Sequence, residues 1–302
     1  MPVFLGLDCG GSSCRALAVD GDGNVLHQGQ AGPANIISTP EKRLRTNLCK
    51  ALAGCPDPDY VAGCFAGLIT EQDRERARGI LSAIFPAARI RLEADSYAAL
   101  KASRPGTHIC VVAGTGSLVC SEADGVYAKS GGRGFILGDA GSAFRYGQDA
   151  LLHFLDHGPE RSSEVLKKTI LHRFQSLDES EIIARLYRGG SPQAQLAKLG
   201  PALAADARAG HQYALESIMK WTGVLAAQVE AHARQHFPHV RKLSISLAGG
   251  LWEGGAVFKA ALGDALAKRL PDREIEMALV EQPPVRGAVR LAAEMAPTPT
   301  RS

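Results

Sequence analysis

Two short segments combine glycines with hydroxyl side chains, and each follows an apolar run that reads as a buried strand. The first consists of Gly10, Gly11, Ser12 and Ser13. The second consists of Gly114, Thr115, Gly116 and Ser117. Glycine lets several backbone N–H groups crowd around one anion, and the hydroxyl groups add donors beside them. The two segments therefore predict phosphate-binding turns, with plain hairpin turns as the structural alternative.

Three aspartates stand where a carboxylate could do chemistry. Asp8 ends the first apolar run, where its carboxylate could hold Mg²⁺ against phosphate oxygens. Asp95 lies where a strand passes into a helix, so it could act as a general base toward a hydroxyl group, or could cap the helix. Asp139 lies in a glycine-rich segment, where it could accept paired hydrogen bonds from vicinal hydroxyls or form an Asx turn.

Histidines and cysteines give no metal-binding pattern. The pairs His153/His157 and His232/His236 could each share a helix face, but no glutamate completes a zinc motif, so surface histidines are predicted. The seven cysteines include no CxxC pair, which favours buried reduced thiols over a zinc or iron–sulfur site. The sequence also lacks GxxxxGK[ST], which argues against a P-loop mechanism.

Composition restricts the class of protein. With 302 residues, 45% of them hydrophobic and 22% charged, the chain is typical of a globular protein with two domains. A net charge of +3 is too small to indicate nucleic acid as a partner. No apolar segment approaches the roughly 20 residues that span a bilayer, and no basic segment resembling a signal peptide begins the chain. We therefore expect no membrane association and a cytoplasmic location.

The pattern of elements is repeated along the chain. Each hydroxyl-bearing glycine turn is preceded by one strand and followed by two more, which predicts two similar β-meanders with facing loops. After the first meander the order is helix, strand, helix, strand, helix, which predicts an α/β domain with a mixed sheet. We place the first domain at residues 1–108 and the second at 109–283, the second with helical insertions.

Local signals predict several helix boundaries. Pro40 is expected at the first position of a helix, and Thr70 with Asp73 resembles a capping box that begins another. A long helix is predicted over roughly residues 211–237, and proline begins a final helix at Pro284. The small, polar tail after Pro297 is expected to be disordered.

Five motifs in order resemble the N-acetylglucosamine kinase branch of the actin-like sugar kinase and ATPase superfamily, which includes the BadF/BadG/BcrA/BcrD ATPases. They cover residues 8–13, 94–96, 114–117, 132–142 and 247–251. The resemblance extends over almost the whole chain. It implies two ribonuclease-H-like domains with mixed sheets around a central cleft, and a carboxyl-terminal helix, 284–296, that packs on the first domain.

The resemblance assigns roles to individual residues. It implies that ATP phosphates are bound by Gly10, Gly11, Ser12, Ser13, Gly114, Thr115 and Gly116, and adenosine by Gly249, Gly250 and Leu251. It implies that a sugar is bound by Asn35, Asp95, Ser117, Gly132, Arg133, Gly134 and Asp139. Asp8 would hold Mg²⁺, and Asp95 would take the proton of the sugar 6-hydroxyl. A plain loop-capping role for Asn35 stays open.

Two residues depart from the family pattern near the expected sugar pocket. Arg133 stands where these kinases usually carry tryptophan, and Leu118 stands where asparagine is common. Because Arg133 would repel a protonated amine, we expect N-acetylglucosamine to be preferred over glucosamine.

The expected activity is ATP-dependent phosphorylation of N-acetylglucosamine at O6 by a homodimer. Glucosamine kinase is the alternative substrate assignment. A dehydratase-activating ATPase would need cysteines placed to bridge an iron–sulfur cluster, and these spacings do not fit. A sugar sensor without catalysis is the third alternative, and the intact Asp8 and Asp95 argue against it.

Overall fold

A computed structural model describes residues 1–297, and the chain divides into two compact units. One unit comprises Met1–Pro105 together with the carboxyl-terminal residues from Val280, and the other comprises Gly106–Leu279. The predicted disordered tail after Pro297 lies outside the described residues. Within those residues, no helix is both long and apolar enough to cross a membrane.

The first unit is built on a five-stranded mixed sheet. Its strands are β1 (Phe4–Cys9), β2 (Cys14–Val19), β3 (Val25–Ala31), β4 (Tyr60–Phe65) and β5 (Arg89–Ala94). The order is β3-β2-β1-β4-β5, with an antiparallel meander on one side and β4 and β5 parallel to β1 on the other. Leu5 and Leu7 of β1 are fully buried, as expected for the central strand of a sheet that is covered by other elements.

Three helices of this unit follow from local signals. They are α1 (Glu41–Ala51), α2 (Glu71–Ile84) and α3 (Asp95–Lys101). The predicted capping box is confirmed, because the Thr70 hydroxyl accepts from the Asp73 amide at 3.2 Å while the Asp73 carboxylate accepts from the Thr70 amide at 2.8 Å. The placement of Pro40 is wrong by one residue. Its ψ of 137° is extended, so it precedes the helix as the N-cap.

The second unit repeats the same sheet order. Its strands are β6 (Ile109–Ala113), β7 (Ser117–Ala123), β8 (Val126–Gly131), β9 (Lys242–Ala248) and β10 (Glu274–Leu279). The order β10-β9-β6-β7-β8 again places an antiparallel meander beside two parallel strands. The predicted pair of β-meanders and the α/β class with mixed sheets are confirmed.

The helices of the second unit lie mostly between β8 and β9. They are α4 (Gly134–Leu137), α5 (Ala143–His157), α6 (Glu164–Phe174), α7 (Glu179–Arg188), α8 (Pro192–Ala197), α9 (Gly200–Arg208) and α10 (Gln212–His236), followed after β9 by α11 (Gly250–Gly254) and α12 (Ala256–Arg269). The long helix predicted over residues 211–237 is confirmed as α10. The surface prediction for His232 is wrong: its ring is 1% exposed and hydrogen bonds to the hydroxyls of Ser121 and Ser130, both at 2.8 Å.

A last helix, α13 (Pro284–Ala293), belongs to the first unit and packs against β1 and α3. Two glycines permit this contact. A Cβ atom on Gly6 would lie 2.4 Å from the amide nitrogen of Val289, and one on Gly287 would lie 1.9 Å from the carbonyl oxygen of Ala98. The backbones of strand and helices therefore touch directly, and no larger residue fits between them.

We predict that Gly287→Ala lowers the free energy of unfolding by about 2 kcal/mol or more, because the added methyl group forces α13 away from α3. Gly79→Ala in α2 is the matched control, since nothing lies within 4 Å of its Cβ position. Alanine is the better helix former, so this control should gain up to about 1 kcal/mol. Urea unfolding of both variants measures the difference, and equal effects would contradict the close packing.

Candidate active site

The first glycine turn leaves backbone donors unused. Gly10 N–H donates to the Ser13 carbonyl at 2.9 Å, and Ala34 N–H donates to the Gly10 carbonyl at 3.0 Å, which fixes the turn on both sides. Gly11 and Ser12 at its tip are exposed. Within residues 1–297 their amides donate to no acceptor. The tip can therefore offer two N–H groups to an anion.

Strand register brings Asp8 and Asp95 to one edge of the first sheet. Parallel pairing sets Cys9 opposite Phe65 and Phe65 opposite Ala94, so these strands end together. Asp8 lies just before this edge and Asp95 just after it. Asp95 is the first residue of α3 and Ala94 is its N-cap, so the carboxylate does not cap the helix. One of its oxygens accepts from the Ser96 amide at 2.9 Å.

The two carboxyl groups interact electrostatically. Burial and, to a smaller extent, repulsion from Asp95 raise the pKa of Asp8 to about 6, and the positive charge of Arg15 opposes both effects. A divalent cation beside these groups would reverse the effect and lower their pKa values. Carboxylate oxygens are ligands that Mg²⁺ prefers in proteins. The carboxylate oxygens at this edge thus have the chemistry that fits Mg²⁺.

Asn35 lies in the loop that follows β3. Its side-chain oxygen accepts hydrogen bonds from the amides of Ile37 and Ser38, both at 2.9 Å. A Cβ atom on Gly67 would come within 2.7 Å of that oxygen, so glycine at φ +86° leaves the space that Asn35 fills. This is the loop-capping geometry left open from the sequence. A ligand contact by Asn35 would have to come from its amide nitrogen.

The second and third glycine motifs come together in the second unit. Because β6 and β9 are parallel neighbours, the turns after them lie at the same edge. Gly249 has φ +103°, and a Cβ atom there would lie 2.4 Å from the Ala113 carbonyl oxygen. Trp252 of α11 donates its indole N–H to the Val111 carbonyl at 3.2 Å. The motifs that resemble phosphate and adenosine sites are thereby packed against each other.

Asp139 is tied to the second glycine turn by its side chain. One carboxylate oxygen accepts from the Ser117 amide at 3.2 Å and the other from the Gln193 side chain at 3.2 Å. Both bonds reach distant parts of the chain, so the carboxylate does not form the local Asx turn. The Ser117 hydroxyl donates to the Ala140 carbonyl at 2.7 Å, and a Cβ atom on Gly116 would lie 2.9 Å from the Asp139 carboxylate.

The environment of Asp139 is nearly closed to water, since the residue is 5% exposed. Burial raises its pKa, while the Ser117 amide, the charge of Arg145 and the Gln193 amide lower it. Gln193 lies in the first turn of the short helix α8 in the polar insertion, where no motif marks it in the sequence. The structure alone identifies it as a partner of Asp139.

Three further residues that are predicted to bind the sugar lie on an exposed segment before Asp139. Gly132 and Gly134 have left-handed φ angles of 65° and 78°, and Arg133 between them is exposed. A Cβ atom on Gly132 would lie 3.1 Å from the Leu118 side chain. The two residues that depart from the family pattern, Leu118 and Arg133, are thus neighbours of the same glycine.

We predict that Asp8→Asn stabilises the protein at neutral pH, by up to about 3 kcal/mol for a pKa raised from 3.8 to about 6. Since the folded pKa exceeds the unfolded one, the native chain is destabilised as the pH rises through this interval. The gain should therefore be absent below pH 4 and complete above pH 6. Thermal unfolding across this range measures it, and a constant gain at every pH would contradict burial of the charge.

Comparison with known proteins identifies relatives along the whole chain. The model of the BadF/BadG/BcrA/BcrD ATPase family matches residues 5–292. The N-acetyl-D-glucosamine kinase of Dictyostelium discoideum is 22% identical over 298 residues, which cover 90% of this chain and 92% of that protein. Glucosamine kinase GspK of Vibrio cholerae is 30% identical over 149 residues, which cover 47% of this chain and 51% of that protein.

The fold is shared with a solved structure from Chromobacterium violaceum that is provisionally described as an N-acetylglucosamine kinase. The TM-score is 0.73 at 24% identity, with 97% of this chain and 99% of that chain covered. The predicted fold class, two ribonuclease-H-like units with mixed sheets, is confirmed. Since the family match extends from β1 to α13, the chain belongs to the BadF/BadG/BcrA/BcrD ATPase family.

Proposed function

We propose that the protein is an ATP-dependent amino-sugar kinase that transfers the γ-phosphoryl group to O6 of N-acetylglucosamine. The observation that carries the proposal is the pair of carboxyl groups, Asp8 and Asp95, at one sheet edge beside a turn with unused backbone donors. Phosphoryl transfer depends on alignment and charge neutralisation more than on covalent chemistry, and this edge offers both.

In the first unit, each group would have one task. Asp95 accepts the proton of the sugar 6-hydroxyl as that oxygen attacks phosphorus, which is possible because its carboxylate is not committed to capping α3. Asp8 holds Mg²⁺, directly or through water, and the bound ion supplies charge neutralisation at the phosphate oxygens. Gly10, Gly11, Ser12 and Ser13 form the turn whose amides and hydroxyls donate to those oxygens.

In the second unit, the packed glycine motifs would bind the nucleotide. Gly114, Thr115 and Gly116 would face the phosphates, while Gly249, Gly250 and Leu251 would lie against adenosine. The close approach of Gly249 to the Ala113 carbonyl supports one continuous nucleotide surface, because a side chain there would separate the two motifs.

Asp139 would bind the sugar through two vicinal hydroxyls, since a carboxylate has more lone pairs than its two present donors use. The other residues that would bind the sugar in this proposal are Asn35, Asp95, Ser117, Gly132, Arg133 and Gly134. Ser117 would meet the sugar through the acceptor lone pairs of its hydroxyl oxygen, because that hydroxyl donates to the Ala140 carbonyl and the Ser117 amide donates to Asp139. Arg133 is exposed and positively charged, which favours a neutral N-acetyl group over a protonated amine.

Two alternatives from other classes have less support. An activator that shares an iron–sulfur cluster between subunits needs several accessible thiols, yet five of the seven cysteines are buried, Cys55 is half-buried and Cys49 alone is exposed. A sugar sensor without catalysis has no use for a partly buried carboxyl group, Asp8, whose burial and repulsion from Asp95 oppose folding. The homodimer and the cytoplasmic location stay predictions from the resemblance and the composition.

Sugar-dependent release of ADP tests the activity. The purified protein is incubated with ATP, Mg²⁺ and a panel of hexoses and amino sugars, with N-acetylglucosamine expected to give the highest kcat/KM. Equal or higher kcat/KM for glucosamine would overturn the preference assigned to Arg133. ATP consumption that is the same without sugar would overturn the kinase assignment itself.

We predict that Asp95→Asn lowers kcat by about 10²–10⁴-fold, the usual contribution of a positioned general base. ATP affinity should stay within about threefold, because the amide keeps the size of the side chain and the glycine turns are untouched. Asp22→Asn, at an exposed turn, is the matched control and should keep full activity. Coupled turnover assays and nucleotide titration measure both quantities. Full turnover by Asp95→Asn would contradict its role.

A further inference from the structure

The side chains directly before Asp139 are largely exposed, so burial contributes little to fixing this segment. Phe135, Ile136 and Leu137 form the short helix α4 and are 38%, 77% and 75% exposed. The glycines at 131, 132 and 134 adopt left-handed φ angles, so the backbone leading into it is intrinsically permissive. Because Asp139 follows this segment immediately, its position depends on whatever anchors residues 135–138.

Arg145 provides that anchor from the first turn of α5. One of its terminal nitrogens, Nη2, donates to the carbonyl of Phe135 at 2.8 Å and to that of Gly138 at 2.9 Å. The other, Nη1, donates to the Gln148 side chain at 3.2 Å. The guanidinium group thus ties both ends of α4 to α5.

Aromatic rings hold the guanidinium group itself. Its central carbon lies 5.2 Å from the ring centre of Phe144 and 4.9 Å from that of Trp221. The Trp221 indole is fixed in turn by a hydrogen bond to Asp149 at 2.8 Å, and Phe135 meets Phe144 edge to face. A planar, delocalised cation suits this position better than the ammonium group of lysine, which cannot stack and bridge two carbonyls with the same geometry.

The charge of Arg145 also acts on Asp139. The carboxyl group is nearly fully buried, a condition that favours its neutral form, and the positive charge of Arg145 favours the ionised form. An ionised carboxylate accepts hydrogen bonds at both oxygens, whereas a protonated one gives up part of that capacity. The hydrogen bonds of Arg145 orient the segment before Asp139, and its positive charge favours the ionised form. Both effects therefore favour an oriented, ionised Asp139 carboxylate.

We propose that Arg145 is a positioning residue for sugar binding, which holds residues 135–138 and keeps Asp139 oriented and ionised. The proposal rests on the sugar-binding role of Asp139 in the proposed function. Arg145 touches neither nucleotide motif in the described structure, so its effect should fall on the sugar and leave ATP nearly unaffected.

Steady-state kinetics of three variants test this. Arg145→Gln removes both the positive charge and the guanidinium donors that bridge two carbonyls, whereas Arg145→Lys keeps only the charge. Arg208→Gln, at an exposed position of α9, is the matched control. Both Arg145 variants should raise the KM for the sugar by about 10–100-fold, as expected when a contact group is misplaced, with the KM for ATP within about threefold. The control should match the parent. Equal rises in both KM values, or none, would overturn the proposal.

The pH profile separates charge from geometry. Loss of the positive charge raises the pKa of Asp139, so the acid limb of kcat/KM for the sugar should move to higher pH in Arg145→Gln. The limb should stay at its parental pH in Arg145→Lys. An unchanged limb in Arg145→Gln would overturn the electrostatic part of the proposal.

Proteolysis gives a readout that needs no activity. Trypsin can cleave after Arg133 in the exposed segment, and release of residues 135–138 should speed this cleavage by at least about fivefold in Arg145→Gln but leave Arg208→Gln unchanged. An unchanged rate in the folded Arg145→Gln protein would overturn the anchoring role. Absence of sugar phosphorylation by the parent protein would instead overturn the proposed function, while faster cleavage would still support the anchor.

Discussion

Burial of the Asp8 carboxyl group at a sheet edge, with the Asp95 carboxyl group close enough to repel it, is the constraint on which the first unit depends. Parallel pairing of β1, β4 and β5 ends the strands together, so Asp8 and Asp95 approach without any motif that links them in sequence. The pKa of Asp8 is raised to about 6, first by burial and second by repulsion from Asp95, so the ionised form of Asp8 has a cost in stability. Such a cost is typical of functional sites, where burial and like charges are relieved by a ligand. The direct backbone contact of α13 with β1 supplies packing that can offset it.

In the second unit, hydrogen bonds stabilise another carboxylate that is buried. Asp139 is buried in a left-handed conformation, and donors from Ser117 and Gln193 compensate its charge. The glycine turn at residues 114–117 therefore supports Asp139 from within, through the Ser117 amide. Gly116 makes room for this support, because the carboxylate occupies the space that a side chain there would fill.

The succession of strands and helices along the chain, most helix starts and the repeated meander could be predicted because they depend on local patterns. Apolar runs specify buried strands, and a capping box such as Thr70 with Asp73 specifies a helix start through bonds three residues apart. The predictions were wrong where contacts with residues distant in sequence determine the outcome. His232 is buried because the hydroxyls of Ser121 and Ser130, on two separate strands, satisfy both ring nitrogens. Pro40 is displaced by one position because its ψ angle is set by the incoming loop.

By itself, the sequence determined the repeated α/β architecture, the glycine turns and the three aspartates, because strand patterns and glycine positions are written in neighbouring residues. Only the tertiary structure decided what each aspartate contacts. It showed that Asp95 leaves the N-cap to Ala94, that Asp139 bonds to Ser117 and Gln193, and that Arg145 holds the segment before it. These contacts join residues far apart in the chain, and pairing register and packing, which no local pattern records, bring them together.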